Sequence, residues 1–268
     1  MKTPALTLIN LISSLINRTP GYIWDKASNM KKAVLILLLP IGLSAQTRQG
    51  VIVFERKVDV HRTIQDEQMK AMVPQFQTGA YEVLFSDSIA IYKAMPKDEA
   101  PDPFDNNTGG NHFVFRFGGS GDGVLYRNYS SGRVLEEAIL AETKYIITDT
   151  LRQLPWKLSD ETATVLGHPC KKATTTTPRG GKVVAWYAGD IPLPVGPEQF
   201  NGLPGAILKL DVDEGTVVFT AKEIKDKVDS RDLKAPANGR LITRADYQKK
   251  MDEVLGPPDA QGRRIIRN

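Results

Sequence analysis

The residues with the most chemistry to offer are His168 and Cys170, two positions apart, which a strand would place on one face as a thiol nucleophile and its base require. Pro169 between them and a strand edge beside them favour a structural role, because free cysteine is among the most buried residue types. His61 and His112, the remaining two of three histidines, are isolated in sequence, so spacing offers no metal site. The chain contains no G-x-S-x-G, H-E-x-x-H, Walker or dinucleotide fingerprint, and no cofactor is expected. This argues for a non-enzymatic protein. A hydrolase whose acid, base and nucleophile are scattered along the chain stays open beside it.

Apolar recognition is the other chemistry within reach. Trp186, Tyr187, Phe200 and Leu203 are candidates for a ligand-binding lip around a proline-rich loop. Phe113, Phe115 and Phe117 alternate as one face of a strand would and could extend an apolar groove, although core packing is the commoner fate of such a stripe.

The elements that must position these residues read mostly with period two. Candidate strands are 51–60, 81–85, 89–93, 112–117, 124–129, 133–140, 144–148, 171–177, 182–188, 206–212 and 216–224. In the run 206–212, Ala206, Leu208, Leu210 and Val212 alternate with Lys209 and Asp211, and Asp213-Glu214-Gly215 reads as a hairpin loop with a left-handed glycine. Helical spacing recurs in 63–76, limited by Pro74, and in 243–255, which opens on Thr243-x-x-Asp246 and stops at Gly256-Pro257-Pro258. Lys225 to Lys234 reads as a solvated connection and Lys97 to Gly110 as a loop. Short sequential strands joined by short turns imply an antiparallel meander. The expected fold is mainly β: an antiparallel curved sheet or open barrel with one or two helices, analogous in architecture alone to lipoprotein carriers.

Between Cys170 and Leu208 the chain carries Cys170 with Lys172, Trp186-Tyr187, Gly196-Pro197 and Asn201-Gly202-Leu203-Pro204-Gly205-Ala206-Ile207 in that order. This resembles the GLPGLI family, exported proteins of Gram-negative bacteria with no established activity. Ala206 stands where that family has leucine. The resemblance implies an exported β-rich domain and brings no enzymatic role. Physically, Pro204-Gly205 suits the central positions of a type II turn, and Pro192, Pro194 and Pro197 keep the approach extended.

Met30-Lys31-Lys32, the apolar run 33–39 and Leu43-Ser44-Ala45 have the order of a cleavable secretory signal, too short to span a bilayer. Gln46, where a lipoprotein would have cysteine, predicts a product without a lipid anchor. Residues 1–29 are read as an extension from a start called too early, 30–45 as the signal and 46–268 as one domain. Removing 1–45 takes away Lys2, Arg18, Lys26, Lys31, Lys32 and Asp25, so the 35 basic and 31 acidic residues fall to 30 and 30. The domain is then formally neutral, which removes the electrostatic case for nucleic-acid binding and leaves no integral membrane span. Arg263, Arg264 and Arg267 read as a frayed basic tail.

The leading expectation is an exported protein of the periplasm or outer membrane, or secreted, that binds an apolar ligand, peptide or envelope partner. A structural surface protein assembling through strand edges is the third reading.

Overall fold

Among the described residues twelve strands form one sheet in the order β12-β6-β5-β4-β3-β2-β1-β11-β10-β9-β8-β7. They are β1 (Gln49–Asp59), β2 (Phe76–Ser86), β3 (Ile89–Ala94), β4 (Leu125–Asn128), β5 (Arg133–Leu140), β6 (Thr143–Thr150), β7 (Lys157–Val165), β8 (His168–Thr176), β9 (Lys182–Ala188), β10 (Ala206–Val212), β11 (Val217–Lys225) and β12 (Arg240–Thr243), with helices α1 (Glu67–Met72) and α2 (Arg244–Leu255). The structure is a computed structural model that describes residues 48–62, 64, 66–96, 123–178 and 180–257, all within one compact unit, Ser44–Asn268. The signal segment and the residues before it, the expected strand 112–117 with its phenylalanines, the 97–110 loop and the C-terminal arginines lie outside the described residues.

Two meanders meet at β1. Strands β2 to β6 run away from it on one side, and β11 back to β7 on the other, each pair antiparallel. β12 returns parallel to β6, the one parallel pair among the described residues. The connection from β6 to β7 forces curvature. Laid flat, the ten strand spacings between these two would cover roughly 48 Å, whereas the linker 151–156 reaches at most about 25 Å. The sheet therefore curls until its ends approach, without closing into a barrel. The fold is mainly β, a curved open sheet with two α-helices among the described residues.

Alternation explains the curl's interior. Ile52 and Phe54 on β1, Val83 and Phe85 on β2, and Ala90 and Tyr92 on β3 share one face with Ala185 and Tyr187 of β9 and Phe219 of β11, all in one buried cluster. The opposite face of β1 to β6 is covered too. Val51, Leu84, Ile91, Tyr126, Leu135 and Ile146 form a second cluster against Val228 and Leu233, so the 225–234 connection expected to be solvated in fact supplies apolar cover.

The helices differ in how closely they follow the expectation. Thr243 caps α2, its side-chain oxygen accepting from the Asp246 amide at 3.1 Å, and Tyr247 packs edge-on against Tyr145 with ring centroids 5.7 Å apart. The expected helix 63–76 shrinks to α1, because Val73 is already extended ahead of Pro74 and Phe76 opens β2. β7 and β12 were not foreseen. β7 lies at the sheet edge, where most of its side chains are exposed and no alternation is written, and β12 is only four residues long.

The strict alternation of β10 is also broken. A bulge between Ile207 and Lys209 pairs Ile207 with Tyr187 and Lys209 with Trp186, so Ala206 and Leu210 point to opposite faces. Both are fully buried, as is Leu208. The loop after β10 follows expectation: Asp213, Glu214 and Gly215 all have positive φ, at 55°, 51° and 93°.

Candidate binding site

Cys170 is buried, and its Sγ donates to the carbonyl of His168 at 3.5 Å. Burial, aided by the nearby Asp190 carboxylate, pushes the thiol up to about 11, so it stays protonated at neutral pH. The His168 imidazole meets Asp190, with Nδ1 2.8 Å from Oδ2. A nucleophile and base pair is therefore not assembled here: the thiol is buried and protonated and gives its hydrogen bond to the His168 carbonyl, while the imidazole pairs with Asp190. His61 Nε2 lies 3.0 Å from the Val73 carbonyl. Among the described residues no three candidate ligands gather into a metal site.

The proline-rich loop that follows β9 brings the motif residues together as a packed corner. Tyr187, Phe200, Leu203 and Ile207 all lie inside the main core. Of the four residues considered for a ligand lip, only Trp186 keeps a half-buried surface, on the face opposite Tyr187 and in register with Lys172 and Lys209. Lys172 in turn holds Glu161 on β7 with Nζ at 2.8 and 2.9 Å from its two oxygens.

The glycines of the corner have separate reasons. Gly202 takes φ +89°, the left-handed value that an L side chain resists, whereas Gly205 is absent from the positive-φ glycines and does not serve the type II turn read from Pro204-Gly205. It is there for space. A Cβ on Gly205 would sit 2.2 Å from the Ala188 carbonyl oxygen, and one on Gly196 would sit 2.4 Å from that of Phe200. Pro197 supplies the carbonyl that accepts from Phe200 N at 3.0 Å. Gly205→Ala should destabilise the protein by about 1–3 kcal/mol through backbone displacement. Equilibrium urea unfolding of wild type and variant would measure it, and unchanged stability would refute the close-approach account.

The loop also delivers a side chain that sequence reading did not single out. Glu198, itself in a left-handed conformation at φ 46°, enters the curl and meets Arg56 of β1, with Nε 3.3 Å from Oε1. Arg127 of β4, 1% exposed, donates from Nη1 to the Gly196 carbonyl at 3.1 Å and lies against the Tyr129 hydroxyl. Tyr92 of β3 stacks on Tyr81 of β2 with centroids 5.3 Å apart and planes 3° from parallel. The Arg56 guanidinium stands 6.0 Å from the Tyr81 ring centre and 5.8 Å from that of Phe219. The sequence signal was there in one form: Arg56 follows Ile52 and Phe54, and Arg127 follows Leu125, at the parity that faces the core. A charge in that register needs a partner, and the partner is far away in the chain.

Electrostatics in this cluster is governed by burial. Desolvation pushes the Glu198 carboxyl up to about 7 even though Arg56 and Arg127 both pull it down. Burial, reinforced by Glu198, raises the Tyr92 hydroxyl far above the ordinary phenol range, and burial raises Tyr129 as well. The tyrosines are neutral donors at any physiological pH, while Glu198 titrates near neutrality.

Fold and site together define a class: an open, curled β-sheet protein in which a loop carboxyl is inserted into an arginine and tyrosine cluster. Residues 175–209 match a family described as "Protein of unknown function (Porph_ging)". Among solved structures the chain is similar to PNGF-II, at TM-score 0.52 and 17% identity over 76% of this chain and 33% of that one in the P21 form. In the C2 form the values are 0.51, 17%, 75% and 32%. The chain spans about a third of the length of those structures, and the likeness is one of fold. No curated protein matches it in sequence. No helix among the described residues is long and apolar enough to cross a membrane.

Proposed function

We propose that this protein is an exported, non-enzymatic binding protein of the bacterial envelope, related to the GLPGLI family, that takes an apolar or amphipathic ligand at the inner face of its curled sheet. The observation that carries the reading is the stacked Tyr81 and Tyr92 pair beside Arg56, at the margin of a large apolar core. Aromatic faces beside a guanidinium suit a molecule with an apolar body and a polar end. The protonated Cys170 and the diversion of His168 to Asp190 favour binding over thiol catalysis. The signal-like segment from Met30, with Gln46 after its cleavage point, supports export to the periplasm, outer membrane or medium without a lipid anchor. Assembly through strand edges is less favoured, because the open edge strand β7 carries Lys157, Asp160 and Glu161 and an irregular register between Leu158 and Thr162, features that discourage edge-to-edge pairing.

Titration of delipidated protein with a fluorescent fatty-acid analogue tests the reading. Saturable binding with one site per chain is the expected result. Folded, delipidated protein that shows no saturation would overturn it.

A further inference from the structure

The Arg56, Tyr92, Arg127 and Glu198 cluster has more hydrogen-bond donors than its own residues satisfy. Two guanidiniums, from β1 and β4, face a single carboxyl. The Tyr92 hydroxyl, on a residue 1% exposed, is buried without a hydrogen-bond partner among the described residues, and it lies close enough to Glu198, Arg56 and Arg127 to feel their charges. A donor left buried and unpaired carries a desolvation cost that a bound acceptor relieves. Arg56, whose side chain is 16% exposed, and half-buried Tyr81 are the members that reach toward solvent, and they mark the direction of entry.

We propose that Arg56, Arg127 and the Tyr92 hydroxyl form the headgroup subsite for a carboxylate borne on an apolar chain, with the chain running out along the Tyr81 ring. This rests on the binding function proposed above and names its ligand class. An acceptor with two oxygens matches the donors on offer, since a guanidinium and a phenol can each give one to a carboxylate. A neutral polar end would leave the surplus positive charge uncompensated. The groups facing Glu198 are Arg56 on β1, Tyr92 on β3 and Arg127 on β4. With Glu198 protonated the cluster carries two positive charges and welcomes an anion. As Glu198 ionises, it competes for the same two arginines.

The test compares dodecanoate with dodecanol, of equal chain length, by calorimetric titration of the delipidated full protein and its Tyr92→Phe variant. Tyr92→Phe removes only the unpartnered hydroxyl and keeps the stacked ring, so the fold is retained, which circular dichroism checks. Arg56→Gln, at the partly exposed member, serves as a second variant. Dodecanoate should bind about tenfold tighter than dodecanol, Tyr92→Phe should weaken dodecanoate about tenfold while leaving dodecanol unchanged, and dodecanoate affinity should fall as pH rises through 7. Equal affinities that neither variant alters would overturn the headgroup subsite while leaving the binding function standing. No saturable binding of either compound would overturn the binding function itself.

Discussion

Arg127→Ala is expected to destabilise the protein by about 3–5 kcal/mol, the cost of removing one member of a buried charge cluster and leaving the others uncompensated. Arg127 is 1% exposed and its Nη1 holds the Gly196 carbonyl at 3.1 Å, so the substitution also frees the loop that carries Glu198. Without Arg127 the inserted carboxyl has Arg56 alone, and a cavity the size of a guanidinium opens in the curl. Urea unfolding followed by tryptophan fluorescence reads the change in midpoint at constant slope. A loss under about 1 kcal/mol would show that the cluster is a surface-like ion pair and refute the account of Glu198 as a buried group. Arg127→Met, which fills the volume without the charge, should recover part of the loss, because an apolar side chain of similar size replaces packing but not the bond to Gly196.

The second large effect is on pH dependence. Glu198 has a folded-state value of about 7, against 4.5 for an exposed glutamate. Between those two values the folded chain keeps a proton that the unfolded chain has lost, so unfolding releases it and stability falls as pH rises. The contribution is fully present below pH 4.5, declines up to about 7 and is level above that. The loss across this window is about 3 kcal/mol. Glu198→Gln, which mimics the protonated carboxyl, should match wild type near the acid end of the window and exceed it near pH 8. Unfolding free energies of both proteins at half-unit pH steps give the difference directly. Parallel curves for the two proteins would refute the buried, neutral carboxyl.

These two predictions show where the chain's own grammar stops. The Asp213-Glu214-Gly215 loop, the Thr243 cap and the alternation of β1, β3, β9 and β11 were legible because each depends on neighbours within a few residues. Local dihedral preferences and the two-residue period write such features directly into sequence. The 201–207 corner was legible as a rigid loop, yet the duty of Gly205 was misread, since the atom that excludes a side chain there belongs to Ala188, on another strand. The bulge at Leu208 escaped for the same reason: it is a property of the pairing between β10 and β9, and alternation in one strand cannot report it.

Local preferences along the chain specify a mainly β protein of short antiparallel strands with a capped C-terminal helix and a buried lone cysteine. How far the sheet curls is set by contacts distant in the chain, because the short 151–156 linker must join strands near opposite ends of the sheet order. The same curling moved Tyr187, Phe200 and Leu203 from a candidate lip into the core, and it gathered Arg56, Tyr92, Arg127 and Glu198 into one cluster. Those residues come from three strands and a loop, each charge sitting at a core-facing position that makes little sense alone. Burial and partners set the chemistry of such groups, and both are properties of the folded chain.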